Sequence, residues 1–223
     1  MTDEVRGRTS AHRSLYPLAS VAGIVSVLVC VALAIAAYVV YPWAFSPMTN
    51  WISDLGDTWL NPRGAFLFRL DMVVVGFGLA LFFLGLRTLS HGQRLRTRLL
   101  ILLAQVSGLV ASFALVMTGV YSENQESAHA LWSTVLFVAL AVTVMLIGWG
   151  VLSHPVVSVS VSYVALASCA VDVVSIIARS HWLEWVAVPL LLVFLAQVSV
   201  GTWKAARTQA LLDAQPESAL PRV

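Results

Sequence analysis

Three ionisable side chains stand inside long apolar runs of this chain: Arg69 and Asp71 in one run, Asp172 in another. A charge at the centre of a membrane span costs about 2.5 to 3.5 kcal/mol on insertion scales, so such residues pair with one another or serve a function. At a rise of about 1.5 Å per residue, Arg69 and Asp71 lie roughly 10 to 13 Å below Pro62, and Asp172 roughly 10 Å below Arg179, which puts them in one layer. Two carboxylates facing one guanidinium leave a negative excess. Arg179 is placed to offset it, since it follows Asp172 by two helical turns on the same face. The layer reads either as an ion pair that fixes how two helices pack or as the polar floor of a pocket. In the second case the expected ligand-binding groups are Asp54, Arg69, Asp71, His129, Asp172 and Arg179.

A second constellation has the residue types of nucleophilic catalysis. Ser53, Asp54 and His129 match a nucleophile, an orienting acid and a base. Neighbouring residues on a helix diverge by about 100°, so Ser53 and Asp54 need His129 to approach from another element. His129 and His181, with Glu123, Glu126 and Glu184 nearby in sequence, are weak candidates for a metal site. No His-x-x-x-His, Cys-x-x-Cys or His-Glu-x-x-His spacing supports it, and no cofactor is expected. Cys30 and Cys169 fall in the middle of apolar runs, where they read as small packing residues and not as a disulfide.

The elements that must hold these groups are membrane spans. The chain has 223 residues, 59% apolar and 11% charged, whereas soluble domains run at about 45 to 50% apolar and about 25% charged. Runs of about 18 or more apolar residues cross the bilayer as helices. They fall near Leu18–Tyr41, Pro62–Leu86, Leu99–Val120, Ala130–Leu152, Val156–Ala178 and Val186–Trp203. They are too long and uniform for the short alternating strands of a β-barrel. The expected fold is therefore an all-α, polytopic bundle of about six transmembrane helices, a single domain over residues 15–203 with tails at 1–14 and 204–223.

Orientation follows from basic residues in short loops. Arg6, Arg8, Arg13, Arg87, Arg94, Arg96, Arg98, Lys204, Arg207 and Arg222 fall on one side, against Arg63 and Arg179 on the other. That bias puts both termini in the cytoplasm of a cell-membrane protein, with His12, His91 and His154 on the same side. It accounts for the basic face without nucleic acid as a partner. Membrane lipids are the expected partners, together with another copy of the chain or another membrane protein.

The linker after the first span carries a pattern of its own. Ser46 is a good N-cap and Pro47 suits a first helical position, Met48, Trp51, Ile52 and Leu55 recur at helical spacing, and Gly56 supplies a stop. This predicts a short amphipathic helix at the membrane interface, flanked by Trp43, Phe45 and Trp59, with Thr49, Asn50, Ser53 and Asp54 facing away from the apolar surface. Asn61-Pro62 repeats the cap pattern and opens the second span.

The string Asn50-Trp51-Ile52-Ser53-Asp54-Leu55-Gly56, then Asn61-Pro62 and a span containing Gly76, resembles the signature of the prokaryotic membrane proteins grouped as domain-of-unknown-function family 998. Gly119-Val120-Tyr121 followed by His129 resembles that family's second signature. The Ile52-Ser53-Asp54 segment is similar, more distantly, to the linker of the six-span DRAM and FGF-receptor-activating-protein group. The resemblance implies a fold and no particular reaction; members of the second group are linked to lipid remodelling and trafficking. The expectation from residues and resemblance together is an accessory membrane protein that binds a lipid or amphipathic molecule in an outer-leaflet cavity. In it Arg69 would meet an anionic headgroup and Trp43, Trp51 and Trp59 the apolar portion. The alternatives are an intramembrane lipid hydrolase or transferase using Ser53, Asp54 and His129 or a metal, and a transporter, for which no internal repeat is visible.

Overall fold

The computed structural model describes residues 2–90 and 92–213, with side chains over 20–90 and 92–211. Arg6, Arg8, His12, Arg13, His91 and Arg222 lie outside the described side chains. Six α-helices follow in order: α1 (Thr2–Val39), α2 (Ala65–Gly85), α3 (Leu95–Val120), α4 (Glu126–Val151), α5 (Ser160–Ala178) and α6 (His181–Asp213). All six include a stretch long and apolar enough to cross a membrane, and no strand occurs among the described residues. The expected six-span bundle is thus the observed one. The helical backbone runs further than the spans, back to Thr2 in α1 and on to Asp213 in α6, so segments expected as tails are partly helical. Helix α5 starts at Ser160 and not at Val156. His154 explains the delay, because its N–H closes a turn on Val151 O (2.9 Å) and its Nδ1 accepts the Val156 N–H (3.3 Å).

Each helix packs on the next and α6 returns to α1, which closes the bundle. The connections 40–64, 121–125 and 179–180 gather at one end, called here the capped end; the start of α1 and the end of α6 lie at the other, the tail end. Two glycines bring α2 and α3 into backbone contact. A Cβ on Gly76 would stand 2.9 Å from the Ser112 carbonyl oxygen, and one on Gly119 2.7 Å from that of Arg69. Small residues do the same for α1 and α6 near the tail end. There Ser20 and Thr202 share a hydroxyl hydrogen bond of 2.8 Å, and a Cβ on Gly23 would collide with Ser199. Small side chains at helix contacts are what a bilayer demands, because lipid is as apolar as leucine and close van der Waals contact must supply the attraction.

The linker differs from its expected form. Ser46 does open a turn, its Oγ accepting the Met48 N–H (3.2 Å) and its carbonyl the N–H groups of Thr49 (3.0 Å) and Asn50 (2.8 Å). The turn then stops: Trp51 is extended (φ −72°, ψ 153°), and a separate 3-10 turn spans Ile52–Gly56. Asn50 is the cause. Its side chain accepts the Ser46 N–H (3.1 Å) and donates to Asp54 Oδ2 (2.9 Å), local bonds that compete with helix continuation. As a result Asp54 is not turned to solvent but buried.

Candidate functional site

A cavity of about 570 Å³ lies inside the bundle beneath the linker. Helices α1, α2, α3, α4 and α6 wall it, and Phe45, Pro47, Ile52, Ser53 and Leu55 of the linker roof it; α5 backs onto α4 and α6 and contributes no lining residue. The walls are largely apolar. The charged or titratable groups among them are Asp71, His129 and Glu184, with Cys30 and Tyr38, and the lining contains neither lysine nor arginine.

The roof is fastened to three helices. Glu184, in the first turn of α6, accepts the Ile52 N–H at 2.7 Å, and Trp185 Nε1 donates to the Asn50 carbonyl at 3.0 Å. Phe45 meets the Trp185 ring edge-on at 5.5 Å, and Trp51 lies 4.3 Å from the His181 ring. Next to α4, Asn124 Oδ1 accepts both the N–H (2.9 Å) and the hydroxyl (3.0 Å) of Thr58, while its Nδ2 donates to Asp57 (2.9 Å). Fully buried Asn61 ties the linker to α1, donating from Nδ2 to the carbonyls of Ala37 (3.1 Å) and Leu55 (3.0 Å) and accepting the Gly64 N–H (3.0 Å).

Behind this roof the carboxyls of Asp54 and Glu123 come within hydrogen-bonding reach of each other, with Glu184 and Asp57 acting on the same cluster. His181 and the Tyr41 ring complete the titratable groups facing it. Burial raises the Asp54 carboxyl above its ordinary value, against the pull of hydrogen bonds from Asn50 and the Trp51 backbone. A raised folded-state value means that the folded chain holds the proton more tightly than the unfolded chain. The contribution is therefore full below the unfolded value and is lost as pH rises through the folded one. Thermal unfolding from pH 4 to pH 8 should show this loss, and Asp54→Asn should flatten the profile. An unchanged slope in the variant would remove Asp54 as its source.

The structure redistributes the residues singled out from sequence. Arg69 does not pair with Asp71 or Asp172. It closes the end of α3, donating from Nε to the Gly119 carbonyl (3.0 Å) and from a terminal nitrogen to that of Val120 (3.1 Å). A cation at a helix C-terminus meets the negative end of the dipole and satisfies carbonyls that the helix leaves free. Asp172 is fully buried on α5, outside the cavity lining, and neither of its oxygens has a hydrogen-bond partner. Arg179 does not reach it: it sits exposed in the left-handed conformation (φ 46°) that ends α5.

Of the expected ligand-binding groups, Asp71 and His129 line one space together with the candidate nucleophile Ser53, and Asp54 lies behind the roof. His129 Nδ1 donates to the Tyr121 carbonyl at 2.8 Å, and the Ser53 hydroxyl lies beside Glu123. Among the described residues no group of three His, Cys, Asp or Glu side chains is placed to hold a metal. Trp43 (69% exposed) and Trp59 (84%) point outward; the indole that lines the cavity belongs to Trp185. The signal for it was present in the first turn of α6, where Glu184-Trp185 offers an acceptor and a donor to whatever crosses above.

A ring of membrane-crossing helices with small residues at its seams and a hydrogen-bonded roof over a central cavity defines a multi-pass membrane protein. The family described as "protein of unknown function (DUF998)" matches residues 24–204, and the chain belongs to that family. No curated protein and no solved structure gives a significant match. Both signature strings hold structural knots here: Asn61 joins α1, linker and α2, and Gly119-Val120-Tyr121 receives Arg69 and His129.

Proposed function

We propose that this protein binds a lipid or other amphipathic small molecule in the capped cavity, as an accessory membrane protein without catalysis of its own. The observation that carries the reading is the cavity itself: about 570 Å³, mainly apolar, with a few polar groups near one end. Ligand sites are typically about 300 to 1,000 Å³ with such a lining. The bias of arginines toward the tail end supports a cell-membrane orientation with the capped end outside. The likeness of Ile52-Ser53-Asp54 to the linker of the DRAM group points the same way by analogy.

Protein purified in nanodiscs should carry an amphiphile detectable by mass spectrometry. Ala34 lines the cavity, so Ala34→Trp, which fills it, should cut retention by about tenfold in monodisperse protein. Wild type free of any bound amphiphile, or equal retention in the variant, would end this reading.

A second reading, hydrolysis of a bound lipid, draws on Ser53 and His129 lining the same space. Because Nδ1 donates to Tyr121, a neutral His129 keeps Nε2 as an acceptor for a proton. No hydrogen bond joins the two among the described residues, which is why binding is preferred. A covalent fluorophosphonate adduct on Ser53 would reverse that order.

A further inference from the structure

We infer that the occupant is a cationic amphiphile, an amine or quaternary ammonium on a hydrocarbon chain, with Asp71 as its counter-ion, and that it enters between α1 and α6. The inference rests on the cavity reading above and adds the sign of the headgroup and the route.

The sign comes from what faces the cavity. Asp71 lines it at 0% exposure, and neither carboxylate oxygen has a hydrogen-bond partner. Among the described residues, the side chain that interacts with it is the Cys30 thiol, a weak donor. Arg69, two positions earlier, is engaged by the carbonyls of α3 and does not line the cavity. Glu184 adds a second carboxyl to the lining, with one oxygen held by the Ile52 N–H. Asp54 and Glu123 extend the acidic field behind the roof. A buried carboxyl group faced by no donor stronger than a thiol is costly and attracts a cation, whereas an anionic headgroup would be repelled by the whole set. This reverses the anionic headgroup expected from Arg69.

The cation is organic. A hard metal ion needs several oxygen ligands, and among the described residues no group of three His, Cys, Asp or Glu side chains is placed to hold one. The lining instead offers Tyr38, Phe45, Phe68 and Trp185, rings whose faces attract ammonium groups. Both Asp71 and Phe83 line the cavity, and twelve residues of α2 separate them, about 18 Å of helix. That depth suits an extended alkyl chain below the headgroup.

The route follows from how α1 and α6 meet. Near the tail end they are locked by Ser20, Gly23, Ser199 and Thr202. Toward the capped end, Val31, Ile35 and Tyr38 of α1 and Pro189 of α6 are exposed and line the cavity at once. Pro189 lacks the N–H that would bond the Trp185 carbonyl, which loosens α6 there. The seam therefore opens toward the acyl chains of the leaflet at the capped end.

The test uses the full chain in phosphatidylcholine nanodiscs, titrated with dodecyltrimethylammonium, dodecyl sulfate and dodecanol. Bound amphiphile is counted by native mass spectrometry, with empty nanodiscs correcting for partition. The ammonium should bind about tenfold more tightly than either of the others. Asp71→Asn should abolish that preference while dodecanol still binds, which also shows that the variant is folded. Glu126→Gln, which removes an exposed carboxyl at the capped end, should leave the preference intact. Equal affinity for the three probes, or a preference that survives Asp71→Asn, overturns the cationic assignment and leaves the cavity reading standing. Binding of no amphiphile at all overturns both.

Discussion

Asn61→Ala should lower the unfolding free energy by about 3 kcal/mol, the largest loss expected from any single polar truncation among the described residues, because it strands two buried carbonyls at once and leaves the Gly64 N–H with only the Asn61 backbone carbonyl (3.2 Å). The carbonyls of Ala37 and Leu55 and the N–H of Gly64 each have the Asn61 amide as a partner. Ala37 and Leu55 are themselves buried, so water does not replace the lost bonds readily. Asn61→Asp should be no better: it keeps the acceptor for Gly64 and turns two donated bonds into carboxylate–carbonyl repulsion. Reversible unfolding in mixed micelles checks both variants. A parental midpoint for Asn61→Ala would mean that the roof is held without this knot.

Gly119→Ala should destabilise by about 2 kcal/mol, as overpacking does, although glycine to alanine inside a helix ordinarily gains up to about 1 kcal/mol. The sign reverses because the new methyl group would lie 2.7 Å from the Arg69 carbonyl and 3.0 Å from the Met72 Cβ. Backbone cannot swing aside as a long side chain would, so α2 and α3 must separate. Separation also draws the Gly119 and Val120 carbonyls away from Arg69. The same unfolding measurement decides: a gain in stability would show that α2 and α3 do not meet at this glycine.

The spans were legible in the chain because their lengths and compositions have one solution in a bilayer. Local chemistry was legible too at Ser46, whose capping turn is present. Legibility stopped where one side chain could serve two masters. Asn50 reads as a turn-facing polar residue, yet its bonds to Ser46 and Asp54 break the expected helix. Arg69, Asp71 and Asp172 share a depth, as computed from helical rise, but depth does not say which way each side chain points. Arg69 found carbonyls on α3, Asp71 the cavity, and Asp172 a buried position on α5 outside the cavity lining.

Run length and composition were therefore enough to dictate six membrane-crossing helices and the glycine- and asparagine-marked ends between them, since an uncompensated backbone in lipid allows little else. Which helix faces meet, which acid lines the cavity and which cation is already spent depended on assembly of the bundle. In a membrane, apolar side chains coat lipid-facing and protein-facing surfaces alike, so the rotation of a helix about its axis leaves little trace in the sequence and is settled by contacts with its neighbours.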